Sequence, residues 1–290
     1  MPHSPTGYDD PRHTLLDVLS CPHCGDRFRH EDGTLRCGAG HSFDIARHGY
    51  VGLLTGNAHA GSGDAASMVQ ARVAFLRAGH YAPLSATLAR LAAAHCGGCR
   101  VVLDAGTGTG YYLAELLDAL PGAVGLGLDT SKHALRRAGS AHPRAGAASW
   151  DVWRPLPVAT RSVDLVLNVF APRNAPEFHR VLRPHGALLV ATPSPRHLAE
   201  LRTAVGTLAV DEAKEERLRH ALSGYFLRER TEEREYAVRL PADDLSRLVS
   251  MGPTARHLGP DELDRRIALL DGPLDVTVSF VVSVYRKIAP

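Results

Sequence analysis

Residues 101–110 read VVLDAGTGTG: an apolar run, Asp104, and then glycines at Gly106, Gly108 and Gly110. Val101, Val102 and Leu103 predict a buried strand, because a short apolar run that ends in a Gly-rich turn suits a parallel-sheet interior. The glycines allow a sharp turn and leave backbone N–H groups open to a ligand, with no Cβ in the way. A helix is expected from about Tyr111, with its positive end aimed at the same place. The dinucleotide fingerprint G-x-G-x-x-G is excluded, since its third glycine would fall on Tyr111. A purely structural glycine turn is the competing reading of this segment.

Further segments continue the pattern. Residues 123–130, AVGLGLDT, predict a second strand ending at Asp129, 19 residues past Gly110. A carboxylate at that tip in a nucleotide-binding βαβ unit can accept hydrogen bonds from ribose hydroxyls. The stretch SWDVWRPLP puts Asp151 after a third strand, and residues 163–172, VDLVLNVFAP, form a fourth that carries Asn168 near its end. Residues 181–193, VLRPHGALLVATP, supply a helix end, a turn and a fifth strand. Five strand-like segments in order, each with a polar residue at its carboxyl end, predict an α/β sheet around one nucleotide-type pocket.

The bulk properties set bounds on partners. A chain of 290 residues with 44% hydrophobic and 22% charged content suits one α/β core plus a small module. No run approaches the roughly 20 apolar residues that span a bilayer. The opening MPHSPTGYDDPR has neither a basic start nor an apolar segment, so no secretory signal is read and a cytoplasmic protein is expected. A net charge of +2 neither supports nor excludes RNA as a partner.

Cys21, Cys24, Cys37 and His41 give C-x2-C-x12-C-x3-H. Two close pairs facing each other across a short hairpin is how small modules build a tetrahedral Zn²⁺ site. Pro22, Gly25, Gly38 and Gly40 supply turns around both pairs. A segment of about 40 residues has little core of its own, and structural zinc contributes on the order of 10–16 kcal/mol in such modules. Cys96 and Cys99 form a second C-x-x-C. Three readings of that pair stay open: small residues at a helix end, a redox pair, or substitutes for Cys37 and His41 on zinc.

These signals divide the chain into an N-terminal zinc module (1–55), a linker with helices (56–95) and an α/β domain (96–290). Asp64 is expected to cap a helix that runs to about Ala78, and a second helix covers residues 82–95. Residues 197–210 resemble a helix, and 211–235, rich in alternating charges, are expected to be mobile or helical. Residues 274–287, LDVTVSFVVSVYRK, are expected to form one or two strands that complete a seven-stranded sheet.

The D-x-G-x-G-x-G run at 104–110 resembles the first motif of the S-adenosylmethionine-dependent methyltransferases. With the module included, nearly the whole chain resembles the 23S rRNA guanine-N1 methyltransferases, the group that includes the tylosin-resistance enzyme of macrolide-producing actinomycetes. The likeness rests on CPHC with CGAGHSFDIARHGYVGLL, on MVQARVAFLRAGHYAPL, LDAGTGTGYY, GLDTSKHAL and VFAP, and on ATPSPRHLAEL. RPHG at the fifth-strand turn departs from the double glycine common in relatives, and Cys96 and Cys99 are not expected from the family.

The resemblance implies a Rossmann-like class I methyltransferase with zinc on Cys21, Cys24, Cys37 and His41. It places S-adenosylmethionine against Tyr81, Gly108, Thr109 and His197, within the loop of Asp104, Gly106 and Gly110. By analogy with methyltransferases in general, Asp129 holds the ribose, Asp151 the adenine amine, and Asn168 lies near the pocket. Tyr81 as a buried wall residue and His197 as a helix cap are the bland alternatives. The implied partner is a 23S rRNA hairpin, with macrolide resistance as a branch-level suggestion and a homodimer suggested by relatives alone. Guanine N1 must lose a proton, for which Asn168, Asp151 and His197 are candidates. Trp150 and Trp153 are candidates for base stacking, with core packing the expected fate of at least one. A small-molecule methyltransferase and a non-catalytic zinc-module RNA-binding protein are the alternative functions.

Overall fold

The computed structural model describes residues 11–54, 63–206, 220–252, 260–270 and 272–288. The module opens with a 3-10 helix, Pro11–Asp17, followed by strands β1 (Phe28–Glu31), β2 (Thr34–Cys37) and β3 (Ser42–Asp44) in an antiparallel sheet. A two-residue strand, β4 (Tyr50–Val51), then leaves the module and pairs in parallel with β7 (Ala145–Ser149) of the large sheet.

Helices α1 (Ala66–Arg77) and α2 (Ala82–His95) lead to β5 (Val101–Ala105), every residue of which is buried. From there α3 (Tyr111–Ala119), β6 (Val124–Asp129), α4 (Lys132–Ala138) and β7 build outward along one half of the sheet. The chain then crosses back to β8 (Val163–Val169), α5 (Ala175–Val181) and β9 (Leu182–Pro193). After α6 (Ala199–Val205) come β10 (Phe226–Leu240), α7 (Ala242–Ser250), α8 (Pro260–Ala268) and β11 (Leu274–Lys287). The sheet order is β10-β11-β9-β8-β5-β6-β7-β4, with β11 antiparallel to β9 and β10 antiparallel to β11. Strand order reverses between β5 and β8, and the crevice outside the carboxyl ends of such a switch point is where α/β sheets take ligands.

The seven strands expected of the catalytic domain are present as β5–β11, and the module adds an eighth through β4. Two expectations need correction. LDVTVSFVVSVYRK is one strand, as expected, but its partner comes from the charged stretch: from Phe226 that stretch is a 15-residue edge strand rather than mobile or helical chain. Asp64 does not cap α1. The N-cap is Ala65, with no side-chain cap, and the Asp64 carboxylate pairs with Arg72. Residues 56–62 and 211–219, read as linker and charged segment, lie outside the described residues.

Two cores flank the sheet. Phe75, Leu84 and Leu88 of α1 and α2 pack with Val102, Leu113 and Phe280 on one face. On the other, Leu15, Phe28, Leu35 and Phe43 of the module join Leu126, Trp150 and Phe178 in one continuous apolar cluster. Among the described residues no helix is long and apolar enough to cross a membrane.

Candidate metal centre and cofactor cleft

The Cys21–Cys24 turn and the Cys37–His41 turn meet at the end of the small sheet. One ligand atom from each of the four residues lies within 4.8 Å of every other. Cys24 Sγ is 3.6 Å from Cys37 Sγ, and His41 Nδ1 is 3.3 Å from Cys37 Sγ and 3.6 Å from Cys21 Sγ. A tetrahedral zinc with the usual bond lengths has edges of about 3.5–3.8 Å, so the donor set fits the ion. Burial raises the Cys37 thiol, but hydrogen bonds from Cys24 and from the His41 side chain and backbone outweigh it and bring it down to about 7. Cys96 and Cys99 stand outside this cluster, at the start of β5, where Cys96 Sγ lies 3.7 Å from the Asp164 carbonyl.

At the far end of β5 the glycine loop turns on a network of its own. Asp104 is 2% exposed and accepts a 2.7 Å hydrogen bond from Thr107 Oγ1. Burial pushes its carboxyl up to about 7, against the Thr107 hydrogen bond and aided by the nearby Asp129 charge. Gly106 and Thr107 both donate their N–H groups to the Leu128 carbonyl at 2.9 Å, which ties the loop to β6. Gly110 requires glycine twice over: its φ is +79°, and a Cβ would stand 2.9 Å from Ala141 Cβ and 3.0 Å from Ala138 Cα. Asp129, at the tip of β6, accepts from Gly108 N and Ser131 N, both at 2.8 Å. Burial raises its carboxyl as well, while these two N–H groups pull it back.

A cleft of about 520 Å³ opens above this loop. Of the expected cofactor residues, Gly106, Gly108, Thr109, Asp129 and Asp151 line it. Asp104 and Gly110 shape the loop from beneath. Asn168 is fully buried and stands behind the wall: its Nδ2 donates to the Ala105 carbonyl at 3.0 Å and the Pro172 carbonyl at 2.9 Å, pinning β5 to the loop after β8.

Tyr81 and His197 also stand back from the wall. Tyr81 is 3% exposed, and its Oη lies 3.2 Å from His197 Nε2. His197 does not cap α6: its Nδ1 accepts from Ser279 N at 3.2 Å, so Nε2 carries the hydrogen that it donates to Tyr81. Burial, with Arg202 nearby, pushes the imidazole down to about 3. Neutral and with both nitrogens engaged, His197 cannot act as a base. Its ring packs 4.6 Å from Phe280, which in turn lies 5.2 Å from Phe170 on the cleft wall.

The sequence reading missed Asp64, Arg72, Tyr111, Tyr112 and Phe170 on that wall. An unpaired-looking Asp–Arg couple eight residues apart on either side of a helix start was the available signal. Trp150 and Trp153 both line the cleft, the first 6% and the second 65% exposed. Trp150 Nε1 is buried and has no hydrogen-bond partner among the described residues. Among the described residues the charged lining is Asp64, Asp129 and Asp151 against Arg72, which suits a ligand of net positive charge. S-adenosylmethionine, with its sulfonium, ammonium and carboxylate, is such a ligand, so the cleft fits it.

Comparison with known proteins bears on both halves. Residues 19–59 match the zinc-ribbon family described as "RlmA, N-terminal", and residues 102–186 match the "Methyltransferase domain" family. The 23S rRNA (guanine(748)-N(1))-methyltransferase of Streptomyces fradiae is 48% identical over 96% of this chain and 99% of its own. A provisionally named 23S rRNA (guanine-N(1)-)-methyltransferase of Micromonospora griseorubida is 49% identical over 94% of this chain and 99% of its own. A glycine loop at a sheet switch point, a Cys₃His centre knitted to the same sheet, and identity running through both at this level lead to one assignment: the chain belongs to the S-adenosylmethionine-dependent 23S rRNA (guanine-N1)-methyltransferase family.

Proposed function

We propose that this protein transfers the methyl group of S-adenosylmethionine to N1 of a guanine in a hairpin loop of 23S rRNA. The observation that carries the reading is the 48% identity with the Streptomyces fradiae enzyme across 96% of this chain, module and cleft together. When bound, the cofactor supplies an already activated methyl group, so the chain's task is largely positioning.

Asp129 would accept from the ribose, Asp151 and the Trp150 indole would meet the adenine, and the Gly106–Thr109 loop would lie along the linking atoms. Tyr81 and His197, tied to each other, would hold Phe280 and Phe170 at the methyl-bearing end. Guanine N1 sits inside a Watson–Crick pair in duplex RNA, so the target must be a loop base or one turned outward. Trp153, two-thirds exposed at the rim, offers it a stacking face. Asp151 is the one of the three proton-removal candidates that faces the cleft.

The surface supports an RNA partner. Lys132, His133, Arg136 and Arg137 are exposed on α4 and make no ion pair among the described residues, while Thr130 just before them lines the cleft. The other end of α4 rests on Gly49 and His48 of the module. A cationic ridge therefore links cleft to module, where phosphates would cross. The reading places the enzyme in the cytoplasm, predicts tolerance of tylosin-type macrolides in a susceptible host, and takes the homodimer of relatives as its assembly.

The test is incubation with labelled cofactor and unmodified 23S rRNA, followed by primer extension. N1 methylation blocks pairing, so a new stop at one hairpin-loop guanine is expected. Label that enters a macrolide precursor and leaves the RNA without a stop would favour a small-molecule methyltransferase instead.

A further inference from the structure

Among the described residues Arg72 is the only cation on the cleft wall, and its surroundings are those of a receptor group. Its side chain is 25% exposed and ion-paired with Asp64, itself 20% exposed. One terminal nitrogen donates to the Met251 carbonyl at 2.8 Å, which anchors α1 against the end of α7. The other reaches the bare face of Gly108, 3.8 Å from where a Cβ would stand. The guanidinium has five N–H donors, and among the described residues Asp64 and the Met251 carbonyl engage only part of them.

Asp64 is held just as firmly. Its carbonyl accepts a 2.7 Å hydrogen bond from Ser131 Oγ, beside Asp129. Asp64 does not cap α1; its carboxylate pairs with Arg72, and the residue lines the cleft. An exposed pair of this kind contributes little to stability, and a half-buried one loses hydration that only further partners restore. A carboxylate and a guanidinium side by side present the charge pattern complementary to an ammonium and a carboxylate on one carbon.

We infer that Arg72 and Asp64 together bind the α-amino-acid end of the cofactor, Arg72 taking its carboxylate and Asp64 its ammonium. The inference rests on the methyltransferase reading of the cleft. It divides the wall by chemistry, with Asp129, Asp151 and Trp150 at the nucleoside end and Asp64, Arg72, Tyr111 and Tyr112 at the zwitterion end. It also gives α1 a function beyond packing: the helix delivers a charged group onto the glycine loop.

The test is calorimetric binding of S-adenosylhomocysteine and of its decarboxylated analogue, which keeps the ammonium, to the full chain. Wild-type protein is expected to favour the carboxylate-bearing ligand by roughly 10- to 100-fold, the range of a charge-assisted hydrogen-bonded contact. Arg72→Ala should abolish that preference, and Arg72→Gln, which keeps a polar stem but no charge, should do the same. Asp64→Asn should weaken both ligands about equally and leave their ratio intact. Loss of the Arg72 brace alone would lower both affinities in proportion, so an unchanged ratio in both Arg72 variants overturns the inference. Failure of the wild-type chain to bind either ligand would instead overturn the methyltransferase reading, and this inference with it.

Discussion

Gly139 and Gly49 meet backbone to backbone where the zinc module touches the catalytic domain. A Cβ on Gly139 would stand 2.4 Å from the His48 carbonyl oxygen, and one on Gly49 would stand 2.8 Å from the Gly139 carbonyl. The C-terminal end of α4 and the turn before β4 therefore close on each other with no side chain between them.

Gly139→Ala tests this contact cleanly, because Gly139 has an ordinary helical φ of −63° and alanine strains nothing locally. The clash is with backbone, so the variant should lose about 1–3 kcal/mol in denaturant unfolding. Gly122→Ala, where a Cβ meets nothing within 4 Å, is the control and should be close to neutral. Equal stability of the two variants would show that the module does not dock this way.

Metal content follows from the Cys₃His geometry. Elemental analysis should find about one zinc per chain, lost in Cys37→Ser and retained in Cys96→Ser. Because the module shares an apolar cluster with one face of the sheet, chelation should also lower the melting temperature of the whole chain. Zinc that survives Cys37→Ser and disappears with Cys96→Ser would place the ion on the other cysteine pair.

Asp129 joins the glycine loop to the start of α4 through two 2.8 Å hydrogen bonds. Asp129→Ala should reduce S-adenosylmethionine affinity by roughly 10- to 100-fold in calorimetry, the scale of losing a charge-assisted acceptor. Affinity within a factor of two of wild type would remove Asp129 from the site.

Asp104 and His197 should leave opposite marks on stability against pH. The Asp104 carboxyl is raised from 3.8 to about 7, so between those values the native state keeps a proton that the unfolded chain has released. Its contribution is fully present below about pH 4 and declines as pH rises to 7, by on the order of 4 kcal/mol. His197 is depressed from 6.5 to about 3, so acidification through that window protonates the unfolded chain first and lowers stability. Urea unfolding of Asp104→Asn at pH 4.5 and 7.5 should show the variant gaining on wild type at the higher pH. For His197→Asn the gain should come at acid pH. Curves parallel to wild type would contradict both.

The parts of this protein that were legible in its sequence are those where one physical demand dominates. Buried parallel strands need apolar runs, and a tight loop needs glycine, so β5–β9 and the 106–110 turn declared themselves. Four metal ligands within 21 residues did the same for the module. The 226–240 strand hid because it lies at the sheet edge with charged residues on both faces from Arg228 to Glu235, and apolar alternation begins only at Tyr236. Asp64 hid because its partner Arg72 is one the helix-start rule does not consider. Tyr81, Asn168 and His197 were expected at the pocket, but only packing determines which side chains reach the wall. All three stand behind it, linked through Phe280 or backbone carbonyls.

The pairing of Tyr50 and Val51 with Ala147 and Ala148 has a further consequence. A β7 left as the outermost strand would present a row of open N–H and C=O groups, the kind of border along which sheets from different molecules fuse. The ribbon covers the middle of that border, at Ala147 and Ala148. The zinc module thus shields part of its neighbour's sheet edge, and a catalytic domain produced without it is expected to self-associate more readily.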